Sequence, residues 1–121
     1  MSDDRRRFSR IPFDAPVRLH QDHWQAQTLL LDISLRGLLL QQPETWNAAD
    51  SSQPVQVIIE LSGLEQIHME AQPVFSREGL LGLACRHLDL NSSSHLNRLI
   101  MLNLGEEALE RELAALYDDA Q

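Results

Sequence analysis

The sequence predicts a mainly β protein: six short strands in an antiparallel barrel or sandwich, then C-terminal α-helices, with a flexible N-terminal arm in front. Three observations carry that prediction. From Pro16 to Leu90, short apolar runs alternate with turn residues at the spacing of an all-β domain. From Ser92 onward the apolar spacing changes to three and four. Residues 1–11 have no hydrophobic period at all. The chain's 121 residues, 43% hydrophobic and 23% charged, suffice for one domain with a real core, residues 12–121.

Each element has a local reason. Pro12 and Pro16 bracket the start of the folded part, and Pro16–Gln21 reads as the first strand. Asp22 supplies a turn, and His23–Ile33 follows as the second strand through Trp24, Thr28 and Leu29–Leu31. Leu35–Gln41 is the third. Residues 43–53 are loop-like, with Trp46 as an anchor. In Val55–Leu61 the odd positions Val55, Val57, Ile59 and Leu61 share one face, as in a half-buried strand. Ser62-Gly63 turns the chain into Gln66–Phe75, and Glu78-Gly79 turns it into Leu80–Leu88. Ser92, Ser93 and Ser94 offer N-caps for a helix carrying Leu96, Leu99 and Ile100. Gly105 stops it, and a second helix spans about 106–117 with Leu109, Leu113 and Leu116 on one face.

Composition excludes several classes. No apolar run reaches the ~18 to 20 residues that cross a bilayer, so no membrane insertion is expected. The N-terminus lacks the apolar stretch of a secretory signal, and a lone Cys85 allows no internal disulfide; the expectation is a reducing, cytoplasmic protein. The net charge is −8, which disfavours general nucleic-acid binding. All ten basic residues are arginine, and four of them, Arg5, Arg6, Arg7 and Arg10, fall in the first ten positions. A basic arm thus leads an acidic body. Arginine forks suit phosphates and base edges through paired hydrogen bonds.

Enzyme chemistry finds no residue set. There is no G-x-S-x-G elbow, phosphate loop or dinucleotide fingerprint. His20 with His23, and Cys85 with His87, fall short of a four-ligand metal site. No catalysis, metal or cofactor is expected. Two patterns remain: Arg6-Arg7-Phe8-Ser9-Arg10, and Asp32-Ile33-Ser34-Leu35-Arg36-Gly37. The first alone is weak, since about 0.8 arginine pairs at that gap arise by chance in this composition. The second is sharper, with about 0.06 chance matches. Their order, an arginine arm followed about twenty residues later by D-x-S-x-x-G at a strand-to-strand turn, is a joint requirement.

This arrangement resembles the PilZ domain, a bacterial receptor for the second messenger cyclic di-GMP. Arg6 and Arg10 match its RxxxR motif; Asp32, Ser34 and Gly37 match its [D/N]xSxxG motif. The segment Gly79–Leu88 looks like the family's last barrel strand. The run Ser94–Ile100 and Leu102–Glu107 is similar to free-standing members of the MapZ type. The resemblance implies a six-stranded antiparallel barrel and a ligand site. Arg5, Arg6, Arg7 and Arg10 would grip phosphates or guanine O6 and N7, and Asp32 would accept from guanine N1–H and N2–H. Ser34 can donate or accept, and Gly37 allows ligand or chain to approach closely. Phe75 is a candidate for stacking on a guanine and equally a candidate for the core. Arg77 could help with the phosphates or be a solvated turn residue. An arginine at position 5 fits family members that hold two intercalated ligand molecules. MapZ-type relatives imply a protein effector, a chemotaxis methyltransferase.

The function expected is therefore a receptor and adaptor: cyclic di-GMP orders the arm over the barrel and changes the surface a partner protein reads. Ordering the arm costs roughly 1 kcal/mol or more per residue. Charge-assisted bonds return about 1.5–3 kcal/mol each, so the barrel side must supply net affinity. The rival readings are a ligand-independent PilZ-like adaptor and a small-barrel nucleic-acid-binding protein.

Overall fold

The computed structural model describes residues 8–119. Six strands form a closed antiparallel barrel: β1 (Ile11–Gln21), β2 (Trp24–Ile33), β3 (Gly37–Gln41), β4 (Val55–Glu60), β5 (Gln66–Arg77) and β6 (Leu80–Leu88). Their order around the barrel is β1-β2-β3-β6-β5-β4. Closure leaves none of them as an open edge. Two helices follow, α1 (Leu90–Leu104) and α2 (Glu106–Asp119).

Alternation builds the core. Ala15, Val17 and Leu19 of β1 point inward with Val55, Val57 and Ile59 of β4 and Ile67, Met69 and Ala71 of β5. Leu38 and Leu40 of β3 and Leu81 and Leu83 of β6 complete the interior. The β5–β6 connection is a two-residue turn in which Glu78 (φ 55°) and Gly79 (φ 77°) both adopt the left-handed conformation that matches strand twist. At the end of the barrel opposite the β2–β3 turn, a short 3-10 turn (Trp46–Ala48) sets Trp46 edge-on to Trp24, with ring centroids 5.5 Å apart. Trp46 is buried in the core cluster and so anchors this loop, and the Trp24 indole N–H adds a bond to the Thr45 carbonyl at 3.1 Å.

Several boundaries differ from the sequence reading. β1 opens at Ile11, five residues before Pro16, because Ile11 pairs with Ile33 and Pro12 with Asp32 across a register shift. The arm assigned to residues 1–11 therefore ends inside the fold: Phe8 is 3% exposed, and its burial with Ile11 in the core cluster holds this stretch. β3 starts at Gly37, since 34–36 make the turn, and β5 continues to Arg77. The α1 cap is Asp89, whose carboxylate accepts from the Ser92 N–H at 2.7 Å, one turn earlier than the serines. Ser92 instead docks the helix: its buried Oγ accepts from the His68 backbone N–H of β5 at 2.8 Å. Leu96 and Ile100 then seal the barrel, and Leu109 of α2 packs on the same cluster.

Candidate functional site

A groove of about 510 Å³ runs along the barrel between residues 8–10, the β2–β3 turn and the β5–β6 face. Two strand irregularities shape it. The β2–β3 register shifts between Leu30 and Asp32, and the β5–β6 register shifts between Pro73 and Phe75. Bulges of this kind re-aim the side chain that follows them. Asp32 and Phe75 both line the groove.

The turn side is backbone engineering. Ser34 is only 7% exposed. Its N–H donates to the Gly37 carbonyl at 2.9 Å, and its Oγ accepts from the Arg36 N–H at 3.2 Å. The Arg36 carbonyl accepts from the Cys85 N–H at 2.7 Å, tying the turn to β6. Gly37 faces the Leu83 carbonyl so closely that a Cβ there would collide with it. In this structure Ser34 and Gly37 shape the turn that follows Asp32 at the end of β2, and the close approach at Gly37 is by chain.

The other wall is aromatic. Phe75 pairs with Gly82 across β5–β6, and its ring occupies the volume a side chain at position 82 would need. The Arg77 guanidinium lies 5.1 Å from the ring centroid. Phe75 is half-buried and lines the groove, so it is a surface wall and not part of the barrel's buried core. Arg77 is exposed.

Charge enters from the N-terminal side. Arg10 forms a two-pronged pair with Asp32, Nε to Oδ1 at 3.2 Å and Nη2 to Oδ2 at 3.3 Å. Its side chain is 45% exposed and that of Asp32 20%, so both stay reachable from solvent. The Arg36 guanidinium sits 5.4 Å from the Phe8 ring centroid. The structure thus brings together Arg10, Asp32, Ser34, Gly37 and Phe75, with Arg77 stacked against Phe75. Arg5, Arg6 and Arg7 lie outside the described residues. Among the described residues no cluster of three or more His, Cys, Asp or Glu could hold a metal ion.

Sequence reasoning missed Phe8, Gly82 and Glu112 and left Arg36 without a role. Phe8 had a signal, being the one apolar residue among the arm's arginines. So did Glu112, three residues after Leu109 and four before Leu116, on the leucine side of its helix.

The PilZ domain family profile matches residues 4–102, which include both motifs, all six strands and most of α1. The chain belongs to the PilZ domain family. Solved structures agree on the fold. This PilZ chain is similar to the Bacillus subtilis inhibitor of motility MotI/DgrA, with TM-score 0.65 and 18% identity over 82% of this chain and 50% of that one. It spans only half the length of that protein. It is similar to the PilZ domain of CeSA from a cellulose synthesizing bacterium, with TM-score 0.62 and 22% identity over 77% and 95% of the two chains. It is also similar to the PilZ domain of Escherichia coli YcgR, solved with c-di-GMP, with TM-score 0.59 and 19% identity over 94% and 98%. At these identities the likeness is one of fold. Among the described residues, no helix is long and apolar enough to cross a membrane.

Proposed function

We propose that this PilZ chain is a receptor for cyclic di-GMP that works as an adaptor and not as an enzyme. One observation carries the reading: a single groove combines an arginine fork, a carboxylate and a half-open aromatic ring. Cyclic di-GMP offers a complement to each. Its phosphates and guanine O6/N7 edges accept two bonds from a guanidinium. A guanine N1–H and N2–H edge donates two bonds to a carboxylate. Its planar bases stack on an aromatic face at about 1–3 kcal/mol per base.

The Arg10–Asp32 pair supports the same reading. Each partner already satisfies the other in the planar, two-pronged geometry that a guanine would replace. A ligand edge that re-partners Asp32 frees the Arg10 fork for a phosphate. Arg6, with Arg5 and Arg7, then closes from the arm, and Arg77 adds charge behind Phe75. Ser34 and Gly37 act by holding Asp32 in place.

Ligand-driven ordering of the arm changes the charge of the surface beside the groove, and a protein partner reads it. Arg5, directly before the RxxxR motif, favours two intercalated ligands per chain, and the likeness of the C-terminal run to free-standing MapZ-type members favours a chemotaxis methyltransferase as partner in a cytoplasmic pathway. Calorimetric titration of cyclic di-GMP tests the reading, beside the double variant Arg6→Ala, Arg10→Ala. Binding at micromolar affinity or tighter in the parent, about −8 kcal/mol or stronger, and its loss in the variant are expected. Two ligands per chain support the Arg5 argument and one refutes it. No binding in the parent ends the receptor reading.

A further inference from the structure

Helix α2 lies beyond the residues that match the family, and none of its residues lines the groove, yet it holds the segment that leads into it. Glu112 is the link. It is 3% exposed, on the leucine side of α2, and its Oε2 accepts from the backbone N–H of Ser9 at 3.1 Å. Its other oxygen, Oε1, is buried with no hydrogen-bond partner among the described residues. A buried carboxylate oxygen without a partner is destabilising. Such a group in a native fold calls for a reason other than stability. Leucine at this position would extend the stripe of Leu109, Leu113 and Leu116.

The reason lies one residue along the chain. Residues 8–10 precede β1 and its ladder, so side-chain contacts hold them. Phe8 is buried in the core cluster, the Ser9 amide is bound by Glu112, and Arg10 is aimed at Asp32 in the groove. We propose that Glu112 is a positioning residue of the ligand groove: by accepting from the Ser9 amide it sets the backbone from which Arg10 enters the site. The proposal rests on the receptor reading for its ligand, and it makes α2 part of the binding apparatus. The carboxylate does not touch the ligand; it restricts where the Arg10 fork can be, which lowers the ordering cost of binding.

The experiment uses the full chain and three variants. Glu112→Leu removes the acceptor but suits the helix face. Ser9→Pro removes the donor N–H from the opposite side and leaves α2 intact. Glu112→Gln retains a carbonyl acceptor. Thermal unfolding first establishes that each variant is folded. Cyclic di-GMP affinity is expected to weaken about tenfold in Glu112→Leu and in Ser9→Pro, and to return to within about twofold of the parent in Glu112→Gln. A merely structural role would not give that rescue. In ligand-free protein, the Arg10 Nε–H resonance is expected to move toward the solvent-exposed arginine position in Glu112→Leu and not in Glu112→Gln. Parent affinity in Glu112→Leu, or equal loss in Glu112→Gln, overturns the proposal. If the parent binds no cyclic di-GMP, the receptor reading fails separately, and the Arg10 resonance decides: unmoved in Glu112→Leu, it overturns the positioning role, and moved, it supports it.

Discussion

Two cavities of nearly equal size lie at different places on this barrel. The groove beside the β2–β3 turn measures about 510 Å³, and the pocket under the β1–β2 hairpin about 500 Å³. The groove is lined by Arg10, Arg36 and the half-open ring of Phe75. The pocket is lined by His20, His23, Asp22, Asp50 and Glu70, with no arginine. Its polar groups are also engaged in construction: the Gln21 side chain donates to the Asp50 carbonyl at 2.8 Å and accepts from its N–H at 2.9 Å, tying the loop after the 3-10 turn to β1. Volume therefore does not choose between the two; charge does. A phosphate about 4 Å from a carboxylate meets roughly 4 kcal/mol of repulsion at an effective dielectric constant near 20. Of the two cavities, the groove alone is lined by arginine forks that match phosphate and guanine.

The largest expected effect breaks the comparison directly. Arg10→Ala should weaken cyclic di-GMP binding at least about a hundredfold, since two charge-assisted bonds of about 1.5–3 kcal/mol each are at stake. Glu70→Gln, in the far pocket, should leave the affinity within about twofold. Calorimetry on both variants checks this. The opposite pattern would move the ligand to the hairpin end.

Next come two glycines of the same groove. At Gly37 a methyl group meets the Leu83 carbonyl, which is backbone. At Gly82 it meets the Phe75 ring, which can rotate away. Gly37→Ala should therefore cost about 1–3 kcal/mol of fold stability, seen as a lower Tm. Gly82→Ala should change Tm little and weaken ligand binding about tenfold, because it displaces the aromatic wall. Equal Tm losses in the two variants would mean that Phe75 is packed too tightly to serve as a stacking face.

The strands and helices were legible because alternation and the change of period state them locally; β4, with Val55, Val57 and Ile59 inward, needs nothing else. The two motifs were legible as residue types. Their division of labour was not. Whether Ser34 faces ligand or backbone depends on the Gly37 carbonyl and the Arg36 amide, which only the folded turn brings to it. Phe75 is read as wall or core only once the register shift after Pro73 is known. Asp89 outcompeted the three serines as cap because α1 starts directly at the end of β6, a tertiary matter. Glu112 could not be paired with Ser9 from sequence, since 103 positions separate them.

The construction role of Ser34 sharpens the contrast at smaller magnitude. Ser34→Ala loses the acceptor for the Arg36 N–H and should destabilise the fold by about 1 kcal/mol. Ligand affinity should fall only as far as Asp32 shifts. A loss as large as that of Arg10→Ala would mean that Ser34 contacts the ligand itself.

Titration gives the smallest effects, and they run in opposite directions at the two sites. Behind the groove, burial pushes the Cys85 thiol up to about 11, against a weaker lowering by the His87 backbone hydrogen bond. At the hairpin pocket, the Ser52 hydroxyl and then its backbone N–H, both donating to the Asp50 carboxylate, hold Asp50 below its ordinary value. A raised thiol binds its proton more tightly in the fold. Its contribution to stability is thus complete below the ordinary cysteine range and is lost as pH rises through about 11. A lowered carboxyl does the reverse: its contribution is present above the ordinary aspartate range and is lost as pH falls through the folded value. Cys85→Ala should flatten the alkaline limb of Tm against pH, and Asp50→Asn the acid limb. The same thiol should alkylate slowly at pH 8, where little of it is ionised. Rapid alkylation at that pH would show that the β6 backbone behind the groove opens, and with it the support that the Arg36 carbonyl gives the β2–β3 turn.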